Sequence, residues 1–324
     1  MEFIDDALVF ANAENLKMIL AEIKKLMPIT QAARLKEYIG CTILKDDKLK
    51  RAVIHQGRLI KTLTKFGEGE KSYRTPAGPG TRLSKAESPT LIGDKEHSEY
   101  RTNVGKLLFL LKHLRPDMGN AIRELSKTLD NTETIHFKAM QQAVNFVLET
   151  KQLGLKIEPD EEEEQLKGVT DTTFASEQET RRSVTGWLIF FYGVLISWKS
   201  RVQKNVTLSS TESEYVGLSK MVCEIIFAKQ VLESVVIKVK LPIPVCTDNT
   251  GAIHLTKNWL SGGKTKHVDT RYHFIKELQD QGVIVVKFVG TKENEANMMT
   301  KNVGEQEYNR MTDKNLIDIQ RFDG

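Results

Sequence analysis

Cysteine is scarce in this 324-residue sequence, and its scarcity argues against two classes of protein. Cys41, Cys223 and Cys246 show neither the short paired spacing of zinc sites nor the density of disulfide-stabilised secreted domains. An odd, sparse count without a signal peptide indicates a reducing, intracellular compartment. We therefore expect the three thiols to be small buried hydrophobic side chains.

Long apolar runs and a strong net charge are also missing. No stretch approaches the roughly 20 apolar residues that span a bilayer, so we expect no membrane partner. The nearest stretch, residues 187–198, is interrupted by Gly193 and predicts paired strands instead. The net charge is only +4, so any attraction to nucleic acid must come from local basic stretches. The 40% of hydrophobic residues suffices for two domains with separate cores.

The first half of the sequence mixes short strands with helices. Two acids amid apolar residues at positions 3–8 suit a hairpin tip, and residues 75–81, rich in proline and glycine, predict a loop. Helices follow from apolar residues at helical spacing. We expect strands at residues 38–44 and 52–54, and helices at residues 14–27, 59–66, 100–127 and 136–149.

A run of acidic residues divides the sequence. Residues 158–164 read Glu-Pro-Asp-Glu-Glu-Glu-Glu, and like charges repel each other and stay solvated. We expect a linker at residues 158–166, between domains at residues 1–157 and 167–303, and a C-terminal tail at residues 304–324. A surface loop between hairpin strands is the alternative to the linker.

Beyond the acidic run, the predicted elements change their order. Three strands joined by hairpins precede strands that alternate with helices, which implies an α/β domain with a mixed five-stranded sheet and flanking helices. The predicted strands are residues 168–174, 183–192, 194–199, 243–247 and 283–289. The predicted helices are residues 210–234, 249–257, 270–281 and 294–302.

Acids recur at strand ends and helix starts in this second half. Asp171 lies in the first strand, Glu214 in the first helix, and Asp248 at the end of the fourth strand. Carboxylates gathered at one end of a sheet repel each other, so a fold retains them when a cation neutralises them. Two Mg²⁺ ions about 3.5–4 Å apart, with Mn²⁺ as a substitute, would suit hydrolysis of a phosphodiester.

Each acid also has a structural interpretation. Both Ser209-x-x-Glu212 and Thr211-x-x-Glu214 fit a helix capping box. Asp248 precedes a predicted helix and so fits an N-cap. The ordered set is more specific for a metal site than any one of its members.

The second half contains a series of sequence blocks over about residues 167–303. The blocks are Gly168-Val169-Thr170-Asp171, Arg181-Arg182-Ser183-Val184-Thr185-Gly186, Ile196-Ser197-Trp198-Lys199-Ser200, Leu208-Ser209-Ser210-Thr211-Glu212-Ser213-Glu214-Tyr215, Cys246-Thr247-Asp248-Asn249, Thr265-Lys266-His267-Val268-Asp269-Thr270-Arg271-Tyr272-His273-Phe274-Ile275 and Thr300-Lys301. In their residues and their order, these blocks resemble the ribonuclease H domain of copia-type LTR retrotransposons. The resemblance implies a ribonuclease H-like fold that binds RNA–DNA hybrids and cuts their RNA strand.

The first half resembles the reverse transcriptase that precedes this domain in the same Pol polyprotein, as an α+β remnant of palm, thumb and connection. Phe3-Ile4-Asp5-Asp6 resembles the catalytic hairpin, and Tyr38-Ile39-Gly40 resembles the segment that grips the primer. Because polymerisation needs a further carboxylate from an earlier strand, we expect Asp5 and Asp6 to be a polymerase remnant, with no DNA synthesis by this chain alone. The rest of the polyprotein is a candidate partner, and the resemblance implies a cytoplasmic particle or the nucleus.

The resemblance also implies roles for the acids. Asp171 would bridge both metal ions, with Glu214 and Asp248 as further ligands, and Gly217 favours Glu214 over Glu212 because a small residue lets the helix pack tightly on the sheet. The family's fourth acid is replaced by Asn297, which keeps an oxygen but loses a unit charge. Thr173 and Phe174 likewise replace an Asp and a Trp of the family.

Basic stretches predict where a hybrid would bind. Phosphate and 2′-hydroxyl contacts dominate recognition of such duplexes, although a solvated basic surface is the commoner explanation for any one of these residues. The predicted nucleic-acid contacts are Tyr38, Gly40, Arg181, Arg182, Lys199, Arg201, Lys266 and His267. Three functions remain open at this point: a hybrid-cutting nuclease, an inactive relic that binds nucleic acid, and a supporting subunit of a complete polymerase.

Overall fold

A computed structural model describes residues 9, 11–30, 35–67, 72–84, 90–258 and 266–322. The predicted hairpin tip at residues 3–8, with Asp5 and Asp6, lies outside the described residues, as do the side chains of Lys266 and His267. None of the described helices is long and apolar enough to cross a membrane.

The first half contains an antiparallel sheet and a helical core. Its sheet has the strand order β1-β2-β3-β4-β10, in which β10 comes from the end of the chain. Buried side chains of α3, α4 and α5 form most of the adjoining core. The elements are α1 (Ala13–Leu26), β1 (Glu37–Tyr38), β2 (Cys41–Asp46), β3 (Arg51–His55), α2 (Gly57–Ile60), α3 (Asp94–His113), α4 (Gly119–Ser126), α5 (Thr134–Glu149) and β4 (Leu153–Ile157), with β10 at Leu316–Asp318.

Three predicted elements of this half differ in the structure. The strand predicted at residues 38–44 is a hairpin, because Ile39 and Gly40 both have positive φ, as a tight two-residue turn requires. The helix predicted at residues 59–66 is the single turn α2. The helical block at residues 100–127 is divided by a 3₁₀ turn at Pro116–Met118, since proline lacks the N–H that a continuous helix needs.

The second half contains the predicted mixed sheet of five strands. Its order is β7-β6-β5-β8-β9, with antiparallel pairs among β5, β6 and β7 and parallel pairs between β5, β8 and β9. The α/β prediction is confirmed. The elements are β5 (Leu166–Thr173), β6 (Val184–Phe191), β7 (Val194–Val202), α6 (Ser210–Ser234), β8 (Ile243–Thr247), α7 (Thr250–Asn258), α8 (Lys266–Asp280), β9 (Ile284–Phe288) and α9 (Asn297–Thr300).

Helices cover both faces of this sheet. On one face α6 packs closely enough that a Cβ atom at Gly217 would lie 2.4 Å from Thr172 Oγ1. On the other face lies α9, which has four residues instead of the nine predicted. Asn294 precedes α9 in the sequence, and its side-chain amide donates to the carbonyl of Thr170 in β5. This contact draws residues 294–296 toward the sheet as part of a turn.

Two segments join the halves. Residues 158–165 connect β4 to β5, and the backbone N–H of Asp160 donates to the carbonyl of Tyr192 in the β6–β7 turn. The residues expected as a C-terminal tail form α10 (Glu305–Asn315) and β10. Tyr308 of α10 donates to the buried carboxylate of Asp117, so the end of the chain packs into the helical core of the first half.

Candidate metal-binding active site

Asp171 lies near the end of the central strand β5, directly opposite Gly186 in β6. Its side chain is buried and accepts a hydrogen bond from the hydroxyl of Thr300 in α9. A Cβ atom at Gly186 would lie 2.3 Å from Met299 Cβ and 3.1 Å from Thr300 Cγ2. The absent side chain of Gly186 therefore lets α9 approach the strand closely enough to contact Asp171.

Glu214 enters the same region from α6, one turn into the helix. The choice between Glu212 and Glu214 follows from their surroundings. Ser209 caps the helix by accepting from the N–H of Glu212, and the Glu212 carboxylate accepts from the N–H of Leu208 at 2.7 Å. Glu212 is half-buried and thus serves the start of the helix, as the acid of a capping box does. Glu214 is buried beneath the helix, and the N–H of Thr172 donates to its carboxylate.

Asp248 immediately follows β8, the parallel neighbour of β5. The neighbouring residue Asn249 caps α7, since its side-chain oxygen accepts from the N–H of Ala252 at 2.8 Å. Asp248 is half-buried. One carboxylate oxygen each from Asp171, Glu214 and Asp248 lies within 4.8 Å of the others. The structure therefore brings these three predicted ligands together.

The electrostatics of this cluster disfavour three ionised carboxylates. Burial, together with the nearby carboxylates of Asp171 and Asp248, raises the pKa of Glu214 to about 9. Burial also raises the pKa of Asp171, against the opposing effects of the Lys301 ammonium and the Thr300 hydroxyl. Among the described residues, Glu214 Oε2 has no hydrogen-bond partner. A buried, unpaired carboxylate oxygen is costly unless a cation or a proton accompanies it.

Asn297 begins α9, one helical turn before Thr300, and is 2% exposed. Its side-chain nitrogen donates to the carbonyl of Thr291 at 2.7 Å and lies 3.2 Å from a carboxylate oxygen of Glu307 in α10. Its side-chain oxygen is buried without a partner among the described residues. The other departures from the family pattern differ in exposure: Thr173 is half-buried and Phe174 is 41% exposed.

The predicted nucleic-acid contacts fall on two separate sheets. Arg181 and Arg182 are exposed in the β5–β6 loop, and Lys199 and Arg201 are exposed on one face of β7, all in the sheet that carries the acids. Tyr38 and Gly40 lie in the β1–β2 hairpin of the first sheet. Two aromatic residues of the same sheet differ in their contacts: Phe190 is in the core, whereas Trp198 donates its indole N–H to the carbonyl of Leu111 in α3.

Sequence reasoning missed three residues around the cluster. Thr300 and Lys301 stand in the last quoted block, and that block was the available signal for them, although no role was assigned to either. The hydroxyl of Thr300 contacts Asp171, and Lys301 affects the pKa of both buried carboxyls. Glu307, beside Asn297, lies in the segment expected as a tail, and nothing in the sequence pattern pointed to it.

Comparison with known proteins identifies relatives of this chain. The chain is 30% identical over 307 residues to the retrovirus-related Pol polyprotein from transposon TNT 1-94 of Nicotiana tabacum, a match that covers 93% of the chain. It is 27% identical over 244 residues, or 75% of the chain, to the corresponding polyprotein from transposon RE1 of Arabidopsis thaliana. The chain belongs to the Pol polyproteins of copia-type transposons. It spans 23% and 16% of the lengths of these two relatives.

The second half of this copia-type Pol chain has the mixed five-stranded sheet and the flanking helices described above. No protein-family model matches the chain. Among solved structures, LC11-RNase H1 in complex with an RNA/DNA hybrid aligns with 44% of this chain and 97% of its own, at 12% identity and a TM-score of 0.33.

Proposed function

We propose that this copia-type Pol chain is a divalent-metal-dependent nuclease that cuts the RNA strand of RNA–DNA hybrids. Asp171, Glu214 and Asp248 would act as the metal ligands, with the buried Asp171 as the central ligand of the set. Residues 167–303 form the nuclease domain in this proposal, while residues 1–157 derive from a reverse transcriptase and residues 158–166 link the two.

One observation carries the proposal. Three carboxylates from three different elements, β5, α6 and the end of β8, converge with oxygens within 4.8 Å of one another, and two of them are buried. Like charges this close raise the free energy of the folded state unless positive charge or protons compensate. Lys301 supplies one positive charge nearby, which does not balance three carboxylates. The remaining imbalance favours a divalent cation.

The residues present fit magnesium or manganese. The donor set consists of oxygen atoms alone, which hard divalent cations prefer, and Glu214 Oε2 lacks a partner among the described residues. When bound, such ions activate water and stabilise developing charge on a phosphodiester. Asp171 is held for this role by the Thr300 hydroxyl, and Gly186 and Gly217 let the two covering helices approach the sheet.

Basic side chains on the sheet that carries the cluster, and in its β5–β6 loop, favour a nucleic-acid duplex as substrate. Lys199 and Arg201 alternate along β7 and so share one exposed face, and Arg181 and Arg182 project from the neighbouring loop. We propose that these residues contact the phosphates of the hybrid, with Lys266 and His267 as further contacts. Such contacts predict binding that weakens steeply with salt.

The proposal is tested by cleavage of a labelled RNA–DNA hybrid in Mg²⁺ and in Mn²⁺, using the full chain. We expect metal-dependent cleavage of the RNA strand, lost in EDTA and in Asp171→Asn. Glu212→Gln is the matched control, because glutamine still serves in a capping box and the variant should cleave like the wild type. Cleavage that persists in Asp171→Asn would identify another site or a contaminant and refute the assignment.

A second candidate, an inactive relic that binds nucleic acid, is favoured by one observation. Asn297 stands where the family has an acid, and the amide carries no negative charge. Under this alternative the wild type binds hybrid in a salt-dependent way without cutting it, and Asn297→Asp gains cleavage. Cleavage by the wild type excludes the relic.

A further inference from the structure

A carboxylate from another helix lies beside Asn297, the position at which the family has an acid. Glu307 extends from α10 to place Oε1 3.2 Å from the side-chain nitrogen of Asn297. Asn297 lies one turn before Thr300, whose hydroxyl contacts Asp171. A continuous series of contacts thus connects Glu307, through α9, to the buried acidic cluster.

The two acceptors beside Asn297 determine which way its amide points. The Thr291 carbonyl and the Glu307 carboxylate both accept hydrogen bonds, so both require the NH₂ end of the side chain. The amide oxygen is thereby turned to the other side, where it is buried without a partner among the described residues. An oriented, unpaired oxygen is what a hard cation would use as a neutral ligand.

The position of Glu307 is itself held firmly. The next residue, Tyr308, is buried and donates to Asp117, which forms two hydrogen bonds to the fully buried guanidinium of Arg115. Lys314, further along α10, pairs with Glu295 at 2.7 Å. Because these contacts hold α10 against the rest of the protein, the helix keeps Glu307 beside Asn297.

We propose that Glu307 supplies the negative charge that Asn297 lacks, so that the charge of the metal site has been relocated from α9 to α10. This inference rests on the proposed metal site. Asn297 then serves as a neutral oxygen ligand, and Glu307 acts as a positioning residue that orients the amide and attracts the cation without being required to touch it.

The test measures Mn²⁺ binding by the full chain at low ionic strength, where charges at a distance are least screened. Removing a unit charge near a divalent ion weakens its binding on the order of three- to tenfold, and we expect this for Glu307→Gln. Glu305→Gln is the matched control, since it removes the same charge from the same turn of α10 but lies exposed. It should bind Mn²⁺ like the wild type.

A double variant distinguishes relocation of charge from a general loss of stability. Asn297→Asp alone places a carboxylate beside Glu307, so it should lower the unfolding temperature in EDTA and tighten Mn²⁺ binding. Asn297→Asp combined with Glu307→Gln returns the family's acid to position 297 with the net charge unchanged. It should recover much of the lost stability and bind Mn²⁺ within about twofold of the wild type.

The outcomes separate this inference from the proposed function. If Mn²⁺ binding is lost in Asp171→Asn but is equal in Glu307→Gln and Glu305→Gln, the acidic cluster binds metal and the role of Glu307 is refuted. If the wild type shows no Mn²⁺ binding that depends on Asp171, the metal site fails and the role of Glu307 fails with it.

Discussion

In the absence of metal, replacing Glu214 with glutamine should raise the free energy of unfolding. The stability of the variant should no longer depend on divalent metal ions. Glutamine has the shape of the protonated acid and can still accept from the N–H of Thr172. Unlike the acid, glutamine needs no proton to remain neutral beside Asp171 and Asp248. A residue that costs stability and is nevertheless present is typical of functional sites.

The size of this stabilisation follows from the pKa of Glu214 in the folded protein and its ordinary pKa. The pKa of Glu214 is about 9 in the folded protein, against an ordinary value of 4.5. At pH 7 the folded state therefore retains a proton that the unfolded state has released. Each pH unit above 4.5 lowers the free energy of unfolding by about 1.4 kcal/mol. At pH 7 the wild type has therefore lost on the order of 3 kcal/mol of stability relative to pH 4.5.

The sign of the pH dependence is determined by the raised pKa. The stabilising effect of the bound proton is complete below pH 4.5 and is lost progressively as the pH rises to about 9. Urea unfolding in EDTA between pH 5 and 9 should show wild-type stability falling across this window. Glu214→Gln should give a shallower curve and a higher free energy of unfolding at pH 8.

Glu212→Gln is the control for this experiment, because it changes the same residue type in a less buried position of the same helix. Its curve should run parallel to that of the wild type. Equal slopes for the wild type and Glu214→Gln would refute the reasoning, since they would mean that Glu214 ionises alike in the folded and unfolded states.

Three further variants test the packing around the site, each by urea unfolding. Gly186→Ala forces a Cβ atom against Met299 and should lower stability by about 1–3 kcal/mol and weaken Mn²⁺ binding; unchanged binding would contradict the role given to Gly186. Tyr308→Phe leaves Asp117 with one donor fewer and should cost about 1–3 kcal/mol. Trp198→Phe removes an indole N–H that donates to α3 and should cost about 1 kcal/mol, with hybrid binding unaffected.

Local patterns in the sequence were sufficient to predict much of the fold of the second half. Strand and helix periodicity predicted the five strands of the second sheet and the long helix α6, because alternation of apolar residues depends on neighbours in the chain. The same patterns overestimated α9 and merged β1 with β2. In both places the outcome depended on a turn: Asn294 binds β5, and Ile39 adopts a positive φ.

The identity of the acidic set was also accessible from the sequence, which favoured Glu214 over Glu212 through Gly217. Glu212 and Glu214 both fit a capping box, and their spacing alone left the choice open. The structure separates them because Glu212 bonds to Leu208 at the helix start while Glu214 is buried against β5. Burial of a particular side chain depends on the packing of α6 on the sheet, which no local pattern records.

The sequence by itself determined the family, the order of the acids and the replacement of one acid by Asn297. Only the tertiary structure revealed that Glu307 lies beside that amide. The reason is physical: the contact requires α10 to fold back, and α10 is held by Tyr308 and Asp117, which are 191 residues apart in the chain. The packing of the two halves brings these distant segments together, and it thereby places the charge of Glu307 beside Asn297.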